Sequence, residues 1–247
     1  MKEKISVIGA GTMGTGIAQV AATHGLEVNL IDINSDILEK SKFKLNSIME
    51  HLIDKQKISI DESSSLLSRI QWITDMNVIS DSHLVIEAVI ENIDLKQKIF
   101  STIESRVSDD CVIATNTSSL SVENIASLCS NKSRIMGIHF FNPVPLMKLV
   151  EVIPIGSTDN NFVNKVKFLL ESWAKIVVTA KDTPGFIVNR IARPFYGEAL
   201  KIFDQGVADF ATIDWAMKEF GQFKMGPFEL MDYIGNDVNY NATESVY

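Results

Sequence analysis

The chain has 247 residues, 46% of them hydrophobic and 22% charged, a balance that allows a sizeable core and suits one large domain plus a smaller one. Its net charge of −8 excludes any general attraction to nucleic acid or to an anionic membrane, so neither is an expected partner. A phosphate-bearing ligand would have to be held by local backbone N–H groups and a few placed cations. The two cysteines, Cys111 and Cys129, read as buried free thiols of a reducing compartment and not as a disulfide framework. No leader is read ahead of a first strand that begins near Lys4. No uncharged apolar run is long enough to span a bilayer, so the cytoplasm is the expected location.

The first part of the chain alternates strand and helix. Ile5–Ile8 is a short apolar run stopped by glycines and reads as a buried strand. Gly14–His24 reads as a helix ended near Gly25, and Val28–Ile31 as a second buried strand. Ser35–Asp54 reads as a long amphipathic helix, with Ile37, Leu38, Leu45, Ile48, Met49 and Leu52 on one face. A helix over Asp61–Leu67, strands at Ile70–Ile73 and Leu84–Ala88, and a helix over Asp94–Arg106 follow. Then come a strand at Cys111–Thr115, a helix over Val122–Leu128, and strands at Ile135–Phe140 and Lys148–Pro154. A helix from about Asn161 to Trp173 and a strand at Ile176–Thr179 complete the series. Strands separated by helices imply crossovers and a mostly parallel, doubly wound α/β sheet.

The character changes at Asp182-Thr183-Pro184-Gly185. Pro-Gly punctuates the chain, and the residues beyond it are expected to be helical only. Ile187, Ile191, Phe195, Ala199, Ile202 and Phe203 form one apolar face, with a kink expected at Pro194. The boundary is placed there: 1–183 as the sheet domain and 184–247 as a smaller all-α domain. The helical part has about sixty residues, a size at which a lone domain is marginal, so it is expected to lean on the first domain or on a second subunit.

Gly9-Ala10-Gly11-Thr12-Met13-Gly14 fits G-x-G-x-x-G. Gly9 permits the tight turn out of the strand. Gly11 lets the backbone approach a pyrophosphate, and Gly14 lets the helix pack close to the sheet. The helix N-terminus, with Thr12 and Met13, then offers N–H groups and a partial positive charge to phosphates. Asp32 closes the second strand 21 residues after Gly11. A carboxylate there can accept both ribose hydroxyls of an adenosine and would repel a 2′-phosphate, which favours NAD over NADP. No metal is expected.

His139 ends a strand, where ligand crevices lie in such sheets. An imidazole titrates near neutrality and can take a hydroxyl proton and return it. Glu151 is a charge inside the apolar run Lys148–Val152, and a buried carboxylate needs a partner. Taken alone, His139 reads as a satisfied core histidine and Glu151 as a solvated strand face; their conjunction with a dinucleotide site favours the paired reading. Asn116-Thr117-Ser118-Ser119 reads alone as an ST-turn or a helix N-cap before Val122. Asn189, among Phe186, Ile187, Val188 and Ile191, could reach a substrate carbonyl or simply start a helix. Glu91, Lys96 and Lys98 read as a solvated face at a helix start, as do Lys40, Lys42, Lys44, Lys55 and Lys57.

From Ile5 to about Asn239 the sequence resembles the L-3-hydroxyacyl-CoA dehydrogenases, and within them the bacterial 3-hydroxybutyryl-CoA dehydrogenases. The resemblance is carried by Val7–Gly14, Asn116–Leu120, His139-Phe140-Phe141-Asn142-Pro143, Asp182–Arg190 and Met225–Leu230. It implies a Rossmann-type sheet followed by a helical domain that closes the substrate cleft and forms a homodimer. It implies oxidation of a short (S)-3-hydroxyacyl-CoA by NAD, and the reverse. His139 is then the acid/base and Glu151 its partner. Ser118 contacts cofactor and substrate, and Asn189 positions the substrate. Glu91, Lys96 and Asn142 approach the cofactor alongside Asp32, and Lys55 meets the coenzyme A tail. Because the family continues with further helices, the helical domain is expected to be incomplete at Tyr247. A dehydrogenase of a free hydroxy or sugar acid and a non-catalytic NAD-binding protein are the alternatives.

Overall fold

The computed structural model describes residues 4–244 and 246, with the backbone alone at Asn241. Tyr247, where the helical part is expected to stop short, lies outside the described residues. The chain divides into two compact units, Met1–Asp182 and Thr183–Tyr247.

The first unit runs β1 (Lys4–Ile8), α1 (Thr12–Thr23), β2 (Glu27–Ile31), α2 (Ser35–Asp54), α3 (Ile60–Ser68), β3 (Ile70–Ile73), β4 (Leu84–Glu87), α4 (Ile93–Glu104), β5 (Val112–Thr115), α5 (Val122–Ile125), β6 (Ile135–Phe140), β7 (Leu149–Pro154), α6 (Asn160–Ser172) and β8 (Ile176–Thr179). The strands form one eight-stranded sheet in the order β3-β2-β1-β4-β5-β6-β7-β8. Every pairing is parallel except β6 with β7. Residues 141–148 between those two are too few for a crossover, which takes roughly a dozen residues, so the chain turns back on itself. Strands such as β4 and β5 are buried at every position, as sheets covered on both faces demand. Each Val, Leu or Ile removed from water there contributes about 1.5–3 kcal/mol before the entropy of ordering is set against it.

The strand order reverses between β1 and β4, the place where such sheets open a crevice. Hydrogen bonding there continues one residue past the strands. Asp32 N–H donates to Ile73 O (3.2 Å), Gly9 N–H to Ile31 O (2.7 Å), Ala88 N–H to Ile8 O (2.7 Å) and Asn116 N–H to Glu87 O (2.7 Å). The carboxyl ends of five strands are thereby tied into one row.

Helix α2 begins where expected because Asn34 caps it, accepting from Asp36 and Ile37 N–H. Its buried face is narrower than the sequence implied: Leu38, Ser41, Leu45 and Met49 are buried, whereas Ile37 and Ile48 are exposed. Helix α3 starts in a reciprocal capping box between Ser59 and Glu62.

The second unit is helical: α7 (Val188–Asp204), α8 (Phe210–Glu219), α9 (Pro227–Ile234) and α10 (Asn236–Glu244). Helix α7 runs through Pro194, which has no N–H for the preceding turn. Asp209 caps α8, and the Asp214 carboxylate accepts from Phe228 and Glu229 N–H at the start of α9. The buried Arg193 guanidinium donates to Asn239 and Thr243. Among the described residues no helix is long and apolar enough to cross a membrane.

Cys111 and Cys129 are buried free thiols. Burial pushes the Cys111 thiol up to about 12 and the Cys129 thiol up to about 11, so neither forms a thiolate at neutral pH. An aromatic disulfide reagent at pH 8 should therefore label neither thiol of the folded protein within minutes, and both after denaturation. A fast-reacting thiol in the native state would contradict this placement.

Candidate active site

The glycine motif forms the turn from β1 into α1. Gly9 adopts φ +104°, and a Cβ there would stand 2.6 Å from Ala88 O, so the β1 and β4 ends meet only because the residue is glycine. A Cβ on Gly14 would run into the carbonyl of Gly9. Gly11 differs. Its backbone is extended (φ −69°, ψ −171°), and a Cβ would meet no heavy atom of the described residues within 4 Å. The fold does not require glycine at this position; the space it leaves suits a ligand that approaches the backbone. No side chain among the described residues caps α1, and its first turn holds no acid. Its N–H groups and dipole are thus available to an anion, so the residues fit a pyrophosphate.

Asp32 stands beside this turn. Its Oδ2 accepts from Ala10 N–H (2.9 Å) and its Oδ1 from Asn34 N–H (3.0 Å). The carboxylate is fixed by backbone donors, and each oxygen keeps lone-pair capacity for a further donor.

The loop after β5 is gripped by Glu91, whose carboxylate accepts from Thr117 Oγ1 (3.0 Å), Ser118 N–H (2.7 Å) and Ser118 Oγ (3.2 Å). Thr117 Oγ1 accepts from Leu120 N–H (3.0 Å), an ST-turn. The N-cap of α5 is Ser121, not Ser118 or Ser119. Lys96 corrects the reading of a solvated face. It is 1% exposed, and its Nζ donates to Glu87 Oε1 (2.6 Å) with Glu91 Oε2 at 3.4 Å. Glu87 is 0% exposed and was not singled out from the sequence. A signal existed: Lys96, Phe100 and Ile103, the buried residues of α4, keep helical spacing, so the lysine sits on the apolar face. Truncating one partner of such a pair costs roughly 3–5 kcal/mol, since the other charge is left buried.

His139 and Glu151 face each other directly in the antiparallel β6–β7 ladder, where Cβ atoms of opposite residues lie about 4.5–5.5 Å apart. His139 Nδ1 stands 2.7 Å from Glu151 Oε2. The two residues are 5% and 0% exposed. A carboxylate offers only lone pairs, so Nδ1 carries the hydrogen and Nε2 is the basic nitrogen of the ring. The Phe141 ring centroid lies 4.5 Å from that of His139. Asn116 Oδ1 accepts from Phe140 N–H (2.9 Å), which links the β5 loop to the histidine strand. The buried Lys175 was also missed from the sequence. Its Nζ donates to Val144 O (2.6 Å) and Met147 O (2.8 Å), fastening the turn after β6, and burial pushes its ammonium down.

Because β1, β4, β5 and β6 are consecutive in the sheet, the loops that follow them, with Gly11, Glu91, Ser118 and the exposed Asn142, open on one edge. Lys55 lies elsewhere, exposed at the C-terminal end of α2, and Lys40, Lys42, Lys44 and Lys57 are exposed as expected. Asn189 belongs to the second unit, half-buried in the first turn of α7.

Residues 4–183 match the family profile described as 3-hydroxyacyl-CoA dehydrogenase, NAD binding domain, and residues 185–247 match the C-terminal domain of the same family. The chain is 43% identical over 239 residues to a probable 3-hydroxyacyl-CoA dehydrogenase of Caenorhabditis elegans, covering 94% of this chain and 80% of that one. It is 40% identical to the 3-hydroxyadipyl-CoA dehydrogenase of Escherichia coli, covering 99% of this chain but 52% of the relative's length. The crystal structure of (S)-3-hydroxybutyryl-CoA dehydrogenase from Ralstonia eutropha superposes with a TM-score of 0.96 at 38% identity, over 100% of this chain and 87% of that one. On these matches the chain belongs to the 3-hydroxyacyl-CoA dehydrogenase family.

Proposed function

We propose that the chain interconverts a short (S)-3-hydroxyacyl-CoA and the matching 3-ketoacyl-CoA with NAD. The observation that carries this reading is the buried His139–Glu151 pair at the carboxyl end of β6, on the sheet edge that also bears the glycine turn. Two relatives are named for a four-carbon and a six-carbon acyl group, which supports a short chain. Residues 1–183 are assigned to the cofactor, and residues 184–247 to substrate contact and dimerisation.

NAD, when bound, supplies the hydride acceptor, or the donor in its reduced form. Gly9, Gly11, Thr12, Met13 and Gly14 hold its pyrophosphate, Asp32 its adenosine ribose, and Glu91, Ser118 and Asn142 its nicotinamide half, with the buried Lys96 acting behind Glu91. His139 Nε2 takes the proton of the 3-hydroxyl during oxidation and returns it to the ketone oxygen during reduction. Glu151 keeps the Nδ1 hydrogen, fixes the ring's rotation and faces the positive charge that the ring acquires. Ser118 and Asn189 orient the substrate oxygens, and Lys55 meets the coenzyme A tail. Dimerisation is supported by the apolar groove of about 540 Å³ lined by Ile191, Phe195, Tyr196 and Phe223, with Ile191 70% exposed.

Four measurements test this reading. Mixing the protein with NADH and acetoacetyl-CoA should deplete NADH only when both are present, and free acetoacetate should not replace the thioester. His139→Gln should then lose about 10²–10⁴-fold in kcat, the range for a positioned acid/base, while NADH still binds; near-normal turnover would remove His139 from its role. Gly11→Ala should keep the melting temperature and weaken NADH binding, whereas Gly9→Ala should lower both. Tight NADH binding by Gly11→Ala would place the cofactor elsewhere. Sedimentation at micromolar concentration should report a dimer, and a monomer would remove the dimer from the proposal.

A further inference from the structure

Glu87 has no role in the reaction described so far, yet its buried carboxylate stands at the centre of a closed ring of contacts. Its Oε1 accepts from Lys96 Nζ (2.6 Å) and Val89 N–H (2.7 Å). Its Oε2 accepts from Thr115 Oγ1 (2.7 Å). Thr115 Oγ1 in turn accepts from Thr117 N–H (3.1 Å). Thr117 Oγ1 donates to Glu91, and Glu91 lies 3.4 Å from Lys96 Nζ, which closes the ring. Glu91 also holds Ser118 through its N–H and its hydroxyl. Ser118 is therefore approached from two sides, along the backbone through Thr115 and across the loop through Lys96 and Glu91. Both paths begin at Glu87.

We infer that Glu87 is a positioning residue: its carboxylate sets where Ser118 and Glu91 stand, and through them the binding of the nicotinamide cofactor and the turnover of the ketone. Two physical facts support this. A hydroxyl has one hydrogen, and Thr115 gives it to Glu87, so its lone pairs are turned toward Thr117 N–H. Lys96 stands between two carboxylates, and with Glu87 at 2.6 Å and Glu91 at 3.4 Å its first claim is on Glu87. Glu91 thus keeps its oxygens for the loop. A buried ion pair is often no more stabilising than well-packed apolar residues of like size, so stability alone does not account for it.

Glu87→Gln keeps the size and removes the charge. The amide NH₂ facing Thr115 reverses the direction of that hydrogen bond, and Lys96 is left with Glu91 as its carboxylate and draws it from Ser118. The part of the inference that concerns turnover rests on the proposed function; the part that concerns NADH binding does not.

The test is a double-mutant cycle of Glu87→Gln with Ser118→Ala, read by NADH fluorescence titration, by kcat and KM for acetoacetyl-CoA, and by melting temperature. Glu87→Gln should weaken NADH binding about tenfold in the wild-type background and much less in the Ser118→Ala background, the coupling expected of residues in one network. The kcat should fall alongside, with a smaller change in KM. Should Glu87→Gln not fold, Thr115→Val breaks the other path with the ion pair intact, and its cycle with Ser118→Ala should show the same coupling. Equal losses in both backgrounds, or unchanged NADH affinity in a folded Glu87→Gln protein, would overturn the inference. If the wild-type protein binds NADH but leaves acetoacetyl-CoA untouched, the proposed function fails while the NADH cycle still decides the role of Glu87.

Discussion

The row of hydrogen bonds one residue past the strand ends is the constraint on which the rest depends. Asp32, Gly9, Ala88 and Asn116 each donate back to the neighbouring strand. Here the first residue of each loop is still held in the lattice of the sheet. The residues of the candidate site sit within a few residues of that row: Gly11 and Asp32, Glu87 and Glu91, Ser118, and His139 through the Asn116–Phe140 link. Their mutual placement starts from strand register, which is stiff, and in the loops of Glu91 and Ser118 it is carried onward by side-chain hydrogen bonds.

Two carboxylates with no exposed surface, Glu87 and Glu151, solve the problem of buried charge differently. Glu87 is matched by an ammonium, which donates and goes no further. Glu151 is matched by an imidazole, which has a second nitrogen and can pass a proton outward. The first pair suits a fixed scaffold and the second suits chemistry.

Much of this was legible in the sequence because the strands read as short apolar runs between turn residues and the long helix as a spaced apolar face. Ser35–Asp54, Ile70–Ile73, Ile135–Phe140 and Ile176–Thr179 coincide with their elements end to end. The glycine turn and Asp32 were legible because each residue answers a local requirement. Helices α8, α9 and α10 were not placed. They are short, and many of their aromatics remain exposed, such as Trp215, Phe220 and Tyr233, so no clean apolar face stands out. The caps were present in Asp209 and in Gly226-Pro227, but short caps without a periodic face are weak signals. Glu87 escaped notice, and Lys96 read alone as part of a solvated face, because an acid closing a strand and a lysine near a helix start are ordinary alone. Only the fold brings them to 2.6 Å.

Asp32 has a consequence for how this turn can change over time. The carboxylate proposed to face the adenosine ribose is also the acceptor for Ala10 N–H, and Ala10 is buried. A lineage drifting toward the phosphorylated cofactor cannot simply discard the acid. The first step would strand a buried amide donor in the turn itself, before any new cation could reward the change. The proposed cofactor contact is thus tied to the integrity of the loop that displays it. A substitution that removes the acceptor along with the charge leaves that amide without its partner, whereas an asparagine removes the charge and keeps an acceptor oxygen.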